Sequence, residues 1–283
     1  VTIRYGFGAV VLAAILALRE GPGALRMGEH TRRTWALGTA GVVGSVLLSY
    51  VGLQHTRAQN AALIVALQPL IMAIWLRVSG KGKLPRSTAI AIGVAFLGAL
   101  LVISRGDPRT FWEGGIGWGV ILCFFSQFAW ILYTSELPSF TGWSVLRTTA
   151  LTSVTGGGMT TAIFGLLWAV GVSTPHWREL GAGGAAISVW MVLGPTVAAV
   201  FAWNLGRMLL GPQDIAVFMY LIPVVAFVTE SIRGYHPGVV EGIAAAVVVG
   251  ALVGDYVVQR RHRLRAEADA GTAVPVAPAL PET

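Results

Sequence analysis

Nine apolar stretches follow one another along this chain with only short polar connections between them: 3–18, 34–54, 58–76, 87–103, 116–137, 143–172, 185–206, 213–230 and 238–258. A helix crosses the hydrocarbon core of a bilayer in about 20 apolar residues. Repeated stretches of that length predict an all-α integral membrane protein of nine spans. Composition points the same way. Only 12% of the 283 residues are charged and 55% are hydrophobic, whereas soluble domains are about one-quarter charged. Too little polar surface remains to face water all round, so lipid must solvate much of the exterior. Glycines recur inside the runs, at 41 and 44, 93 and 98, 156 to 158, 250 and 254, where they let helix backbones approach closely in lipid.

Orientation follows from where Lys and Arg fall. Arg19, Arg26, Arg32 and Arg33, then Arg77, Lys81, Lys83 and Arg86, then Arg207, then Arg260, Arg261, Arg263 and Arg265 lie on one side of a nine-span alternation. The other side has Arg57, Arg105, Arg109, Arg178 and Arg233. The richer side is expected to be cytoplasmic, with the C-terminus there, Val1 outside, and anionic headgroups as the partner of these cations. The net charge of +7 is thereby absorbed by loops, and no nucleic-acid partner is expected. Cys123 stands alone, so neither a disulfide framework nor a thiolate metal cluster can form within the chain. No cofactor or metal is called for. Residues 259–283 read as a basic segment followed by a Pro- and Ala-rich disordered tail.

The chain also resembles itself. Segment 49–69 aligns with 203–223 at an offset of 154, matching Gly52 to Gly206, Gln59 to Gln213, Ala62 to Ala216, Leu67 to Leu221 and Pro69 to Pro223. Pro85 pairs with Pro237, Gly98-Ala99-Leu100 with Gly250-Ala251-Leu252, and Ile3-Arg4 with Leu146-Arg147. Two repeats are expected, 1–112 with four spans and 113–258 with five. Position 1 is Val, and the first repeat is expected to lack one N-terminal helix, either trimmed or naturally absent. Five spans per repeat is an odd number, so the second repeat would be inverted relative to the first, the plan that alternating access uses.

The stretches GLQHTRAQNAALIVALQPLIMAIWL, AWNLGRMLLGPQDIAVFMYLIPVVAFVTE and PGVVEGIAAAVVVGALV resemble the EamA-like members of the drug/metabolite transporter superfamily. The resemblance runs over nearly the whole chain. It departs after the first Pro-containing helix, where Arg77 and Ser79 stand instead of an acidic residue. It implies ten helices, a central cavity and the outward movement of metabolites, amino acids among them.

A solute site is sought where polar groups sit at membrane depth. Spans 58–76 and 213–230 carry Pro69 and Pro223 at corresponding places, which would free a carbonyl one turn earlier. Gln68 lies beside the first and Tyr220 one turn before the second. Neighbouring spans add Ser49, Tyr50, Gln54, Ser126, Gln127, Trp130, Trp203 and Asn204. Rings mixed with uncharged donors suit an amphipathic or zwitterionic organic solute. Packing kinks, helix-to-helix hydrogen bonds and an interfacial aromatic belt are the ordinary uses of the same residues. Arg4 and Arg147 each open a span and would snorkel to headgroups.

A channel or facilitator is the alternative within transport; an intramembrane enzyme or a scaffold lies outside it. The five His, at 30, 55, 176, 236 and 262, are never three or four residues apart and no HExxH or GxSxG occurs, so the chain is not expected to be an enzyme. A monomer or weak homodimer is expected. The charge asymmetry makes a direct prediction: a fluorescent protein fused to the C-terminus matures in the cytoplasm, whereas alkaline phosphatase at the same place stays inactive. The opposite pair of results reverses the assigned orientation.

Overall fold

The computed structural model describes residues 1–56, 61, 64–80, 85–104, 107, 109, 118–172, 181–210, 215, 218–232, 234, 239–240, 242–244, 246–251, 253–254, 257–258 and 261. Every regular element among them is helical, as expected of an all-α membrane protein. Helix α1 (Thr2–Glu20) buries Tyr5, Ala9, Leu12 and Leu16 and exposes Phe7, Val10 and Leu18. Both stripes repeat every three or four residues and both are apolar. One packs on protein while the other faces lipid.

Two 3₁₀ turns (Pro22–Leu25 and Gly28–His30) lead into α2 (Thr31–Thr39), which passes through a π-helical segment (Ala40–Leu47) into α3 (Leu48–Gln54). Helices α4 (Gln68–Val78), α5 (Arg86–Ile103), α6 (Trp118–Glu136) and α7 (Val145–Ala169) follow. Helix α8 (Gly181–Met191) then runs through a second π-helical segment (Val192–Ala198) into α9 (Ala199–Leu210), and α10 (Leu221–Ile232) comes after a 3₁₀ turn at Phe218–Tyr220. Among the described residues five helical stretches have the length and apolarity to cross a bilayer: Thr2–Glu20, Pro22–Gln54, Trp118–Ser139, Val145–Ala169 and Gly183–Leu210. Gln68–Val78, Arg86–Gly98 and Gly242–Ala251 are shorter apolar helices. The tail from 262 onward lies outside the described residues.

Neither Pro sits in mid-helix, as the sequence suggested. Pro69 is in the first turn of α4, after a tight turn in which the Leu67 N–H donates to the Ile64 carbonyl at 3.2 Å. Pro223 is likewise the third residue of α10. In a first turn the missing N–H of Pro has no intrahelical partner to lose. The two prolines therefore restart helices after a break instead of kinking continuous ones.

Ring and charge contacts sort the helix ends into two faces. The Ser144 hydroxyl donates to Glu20 at 2.5 Å and accepts from the Arg147 N–H at 2.9 Å, capping α7 while tying it to the end of α1. Arg33 lies 4.0 Å from Glu136 and also donates to the Ser139 carbonyl at 3.3 Å. At the other face the His55 and Trp118 rings meet with centroids 3.9 Å apart. Thus α1 and α6 run one way, and α2, α3 and α7 run the other.

Lipid offers no hydrophobic drive for helices to associate, so close packing and hydrogen bonds must hold them. The tightest approach is between α2 and α7. A Cβ on Gly38 would fall 2.4 Å from the Thr152 carbonyl oxygen, and one on Gly156 would fall 2.4 Å from the Gly38 carbonyl oxygen. Alongside, the Thr155 hydroxyl contacts the Thr34 carbonyl at 3.0 Å. Leu12 and Leu16 of α1 pack on Ala150 and Leu151 of α7. A second cluster, Ala66, Ala73, Ile92, Ala95 and Val248, gathers α4, α5 and the helix at Gly242–Ala251.

Gly156 and Gly158 make a matched pair of tests, because nothing lies within 4 Å of a Cβ on Gly158. Gly156→Val is expected to cost at least the 1–3 kcal/mol of core overpacking and to lower the melting temperature in detergent by several degrees. Gly158→Val should leave it nearly unchanged. Equal effects would mean that the α2–α7 contact is not close.

Candidate functional site

The α2–α7 contact borders a cleft lined by Tyr5 of α1, Gly38, Gly41 and Val42 of α2 and the first π segment, Trp130 and Tyr133 of α6, Thr152 and Ser153 of α7, and Val200 of α9. It is narrow, with a free volume of about 10 Å³, room for about one water, so a solute would have to widen it. Small residues on one wall make the room. A Cβ on Gly41 would lie 2.9 Å from the Tyr133 ring, so the ring occupies the space that a side chain would fill.

Depth follows from helix rise. With Ser144 marking the end of α7 at one polar face, Thr152 lies about 12 Å in and Gly157 about 20 Å in, at 1.5 Å per residue. Tyr5 is level with Gly157, since a Cβ there would fall 2.6 Å from the Tyr5 carbonyl oxygen. The hydrocarbon core is about 30 Å thick. Along α7, the lining from Thr152 to the level of Tyr5 thus brackets half of that thickness.

One hydrogen-bond network closes its floor. Asn204, buried on α9, donates through Nδ2 to the Tyr133 hydroxyl at 2.8 Å and to Thr149 Oγ1 at 2.9 Å. Tyr133 and Thr152 hydroxyls stand 3.4 Å apart. Trp203 donates to Thr134 Oγ1 at 3.4 Å. The Trp130 ring lies between Tyr133 and Trp203, with centroids 5.4 and 5.8 Å away. Three of the sequence candidates, Trp130, Trp203 and Asn204, thus come together.

Of the candidates whose side chains are described, only Trp130 is in the lining of the cleft, with Trp203 and Asn204 behind its wall. Ser126 is buried and turns back on its own helix, donating to the Cys123 carbonyl at 2.7 Å; Ser45 does the same toward Gly41. Gln127 and Ser49 are half-buried, and Tyr50 and Gln54 are exposed. Gln68 and Pro69 are buried, and Gln68 Nε2 has no hydrogen-bond partner among the described residues. The side chains of Tyr220 and Pro223 lie outside the described residues. Arg4 is not snorkelling. It donates through Nε to Thr196 Oγ1 at 2.7 Å and through Nη2 to the Pro195 carbonyl at 3.4 Å, inside the second π segment. That carbonyl lies where π geometry and proline disturb the ordinary ladder. Arg147 donates to the Arg26 carbonyl at 2.7 Å and covers the Trp143 ring at 4.6 Å.

Sequence reasoning missed the hydroxyl-rich face of α7, where Thr148, Thr149, Thr152, Ser153, Thr155 and Thr160 are all buried. The signal was present in TTALTSVTGGGMTT, a polar density unusual for lipid-facing helix. It also missed Arg207, which is 2% exposed although its position at the end of a span suggested a loop. Among the described residues no group of three His, Cys, Asp or Glu is placed to hold a metal.

The comparisons with known proteins agree with this architecture. Residues 1–104 match the EamA-like transporter family. The chain is 30% identical to the uncharacterized transporter YyaM of Bacillus subtilis (strain 168) over 247 residues, which are 87% of this chain and 80% of that protein. It is 26% identical to the uncharacterized transporter YrdR of the same organism over 268 residues, 92% of this chain and 82% of that one. A crystal structure with 17% sequence identity superposes with a TM-score of 0.74 over 92% of this chain and 87% of its own, a likeness of fold. The family match over residues 1–104 and 30% identity to a transporter over 87% of this chain, on an all-helical membrane architecture, show that the chain belongs to the EamA-like transporter family.

Proposed function

We propose that the protein is a secondary transporter that moves a small organic metabolite, an amino acid or a related amphipathic solute, outward across the membrane by alternating access. The observation that carries this reading is the cleft walled by Tyr5, Trp130, Tyr133, Thr152 and Ser153. Rings can cover the apolar body of a solute while hydroxyls and ring N–H groups fix its polar end. Trp130 Nε1 is buried in the wall with no hydrogen-bond partner among the described residues, a donor that a solute could use.

The inverted repeat supports a carrier over a channel. The two π segments, Ala40–Leu47 and Val192–Ala198, fall at nearly the repeat offset. So do the helix restarts at Gln68 and Leu221. Irregular helices at matched places in two halves are where carriers hold solutes and flex. On this reading the first repeat covers 1–112 and the second 113–258. The face with Glu20, Arg33 and Glu136 is cytoplasmic, and the setting is a bacterial inner membrane with the C-terminus inside.

Counterflow of labelled amino acids into proteoliposomes is the test. Saturable uptake that unlabelled solute competes away is expected, with Trp130→Ala lowering kcat/KM about 10-fold and Phe7→Ala, on the lipid face, leaving it unchanged. Unsaturable flux with unitary conductance steps would instead establish a channel.

A further inference from the structure

Arg207 is a buried cation, 2% exposed, near the end of α9. It lies on α9 one turn beyond Asn204, on the same face as Val200 and Asn204 at a spacing of four and then three residues. Val200 lines the cleft, and Asn204 bonds the Tyr133 that forms its floor. The guanidinium is almost wholly buried, yet Nε and Nη2 have no hydrogen-bond partner among the described residues. Its electrostatic neighbours are the Tyr133 phenol and Glu136. Glu136 is already engaged with Arg33, so it does not neutralise Arg207 alone.

A buried cation with two idle donors is costly unless something pairs with it. The guanidinium fork matches a carboxylate in two parallel hydrogen bonds. Trp130 Nε1, also buried and idle, lies in the adjoining wall. Resting on the transporter reading above, we propose that the solute carries a carboxylate and that Arg207, one turn behind the Asn204–Tyr133 floor and outside the present lining, pairs with it as that floor opens, while Trp130 in the wall covers the apolar remainder. Among the described residues Nε and Nη2 thus have no hydrogen-bond partner of their own, and a bound carboxylate supplies one. Carboxylate solutes are admitted on this basis and their uncharged analogues refused.

The test uses full-length protein and two pairs of probes, L-phenylalanine with phenylalaninamide and phenylacetate with phenylacetamide. Quenching of tryptophan fluorescence and thermal stabilisation report binding. Wild-type protein should bind at least one of the two carboxylates, about 10- to 100-fold more tightly than its amide. Arg207→Met should abolish that preference, and Arg207→Lys should retain part of it. Without solute, Arg207→Met should melt no lower than wild type, because it removes an unpaired buried charge. A lower melting temperature would mean that Arg207 already has a structural partner, with Asp214 the nearest acid in sequence on that side, and would overturn the proposal. Equal binding of acid and amide, no binding of either acid, or an unchanged preference in Arg207→Met would overturn it too. Counterflow of neutral and cationic amino-acid derivatives, run in parallel, separates the two readings. If these move while carboxylates do not, the transporter stands and the carboxylate site falls.

Discussion

The contact between Gly38 of α2 and Gly156 of α7 sets the geometry on which the rest of the bundle depends. There the backbones themselves are the packing surface: the Cβ that any other residue would add meets a carbonyl oxygen. In water such a contact would be a minor part of a hydrophobic core. In lipid it is a principal source of association, because apolar side chains gain little by exchanging lipid for protein. The Thr155 hydroxyl, shared between its own helix and the Thr34 carbonyl, adds a directional bond at the same level. Such interhelical bonds are worth about 0.6–2 kcal/mol each in membranes.

The cleft follows from that contact. Gly38 and Gly41 bring no side chains to its wall, and Thr152 and Ser153 enter it from the facing helix. Most of the α7 hydroxyls bond carbonyls of their own helix, which keeps them satisfied at membrane depth. They still present oxygen lone pairs to the interior. The wall thus carries hydroxyl oxygens at membrane depth while those hydroxyls stay bonded to their own helix. The aromatic set on the other side has a different economy. Asn204 orients Tyr133, and Tyr133 and Trp203 flank Trp130, so each ring is held by a neighbour and its position is defined before any solute arrives.

Two cations in the spans illustrate how membrane depth changes the meaning of a charge. From the sequence, Arg4 and Arg147 are expected to occupy corresponding places in two repeats. Arg147 stays near a polar face and bonds a loop carbonyl. Arg4 reaches into the disturbed ladder of the second π segment, where Thr196 and Pro195 offer oxygens. Position in a repeat therefore did not determine use; the available acceptors did. The prolines make a related point, because a residue that reads as a kink becomes a helix start once the chain before it turns tightly.

What could be read without coordinates was what the solvent imposes. Stretches such as 3–18 and 143–172 are too long and too apolar for water, and their Lys and Arg are partitioned between sides, so an all-α membrane fold follows from sequence alone. Trp130, Trp203 and Asn204 were also legible, as polar and aromatic groups inside spans. Which stripe of α1 faces protein was not, because Phe7, Val10 and Leu18 are as apolar as Ala9, Leu12 and Leu16, and amphipathicity, the usual guide, vanishes when the outer solvent is itself apolar. Arg207 was hidden for the converse reason: a cation at a span end normally reaches water, and only tertiary packing around α9 buries it. The tertiary structure decided these matters because in lipid, contact geometry and hydrogen bonding select the faces that pack, and neither is written in hydropathy.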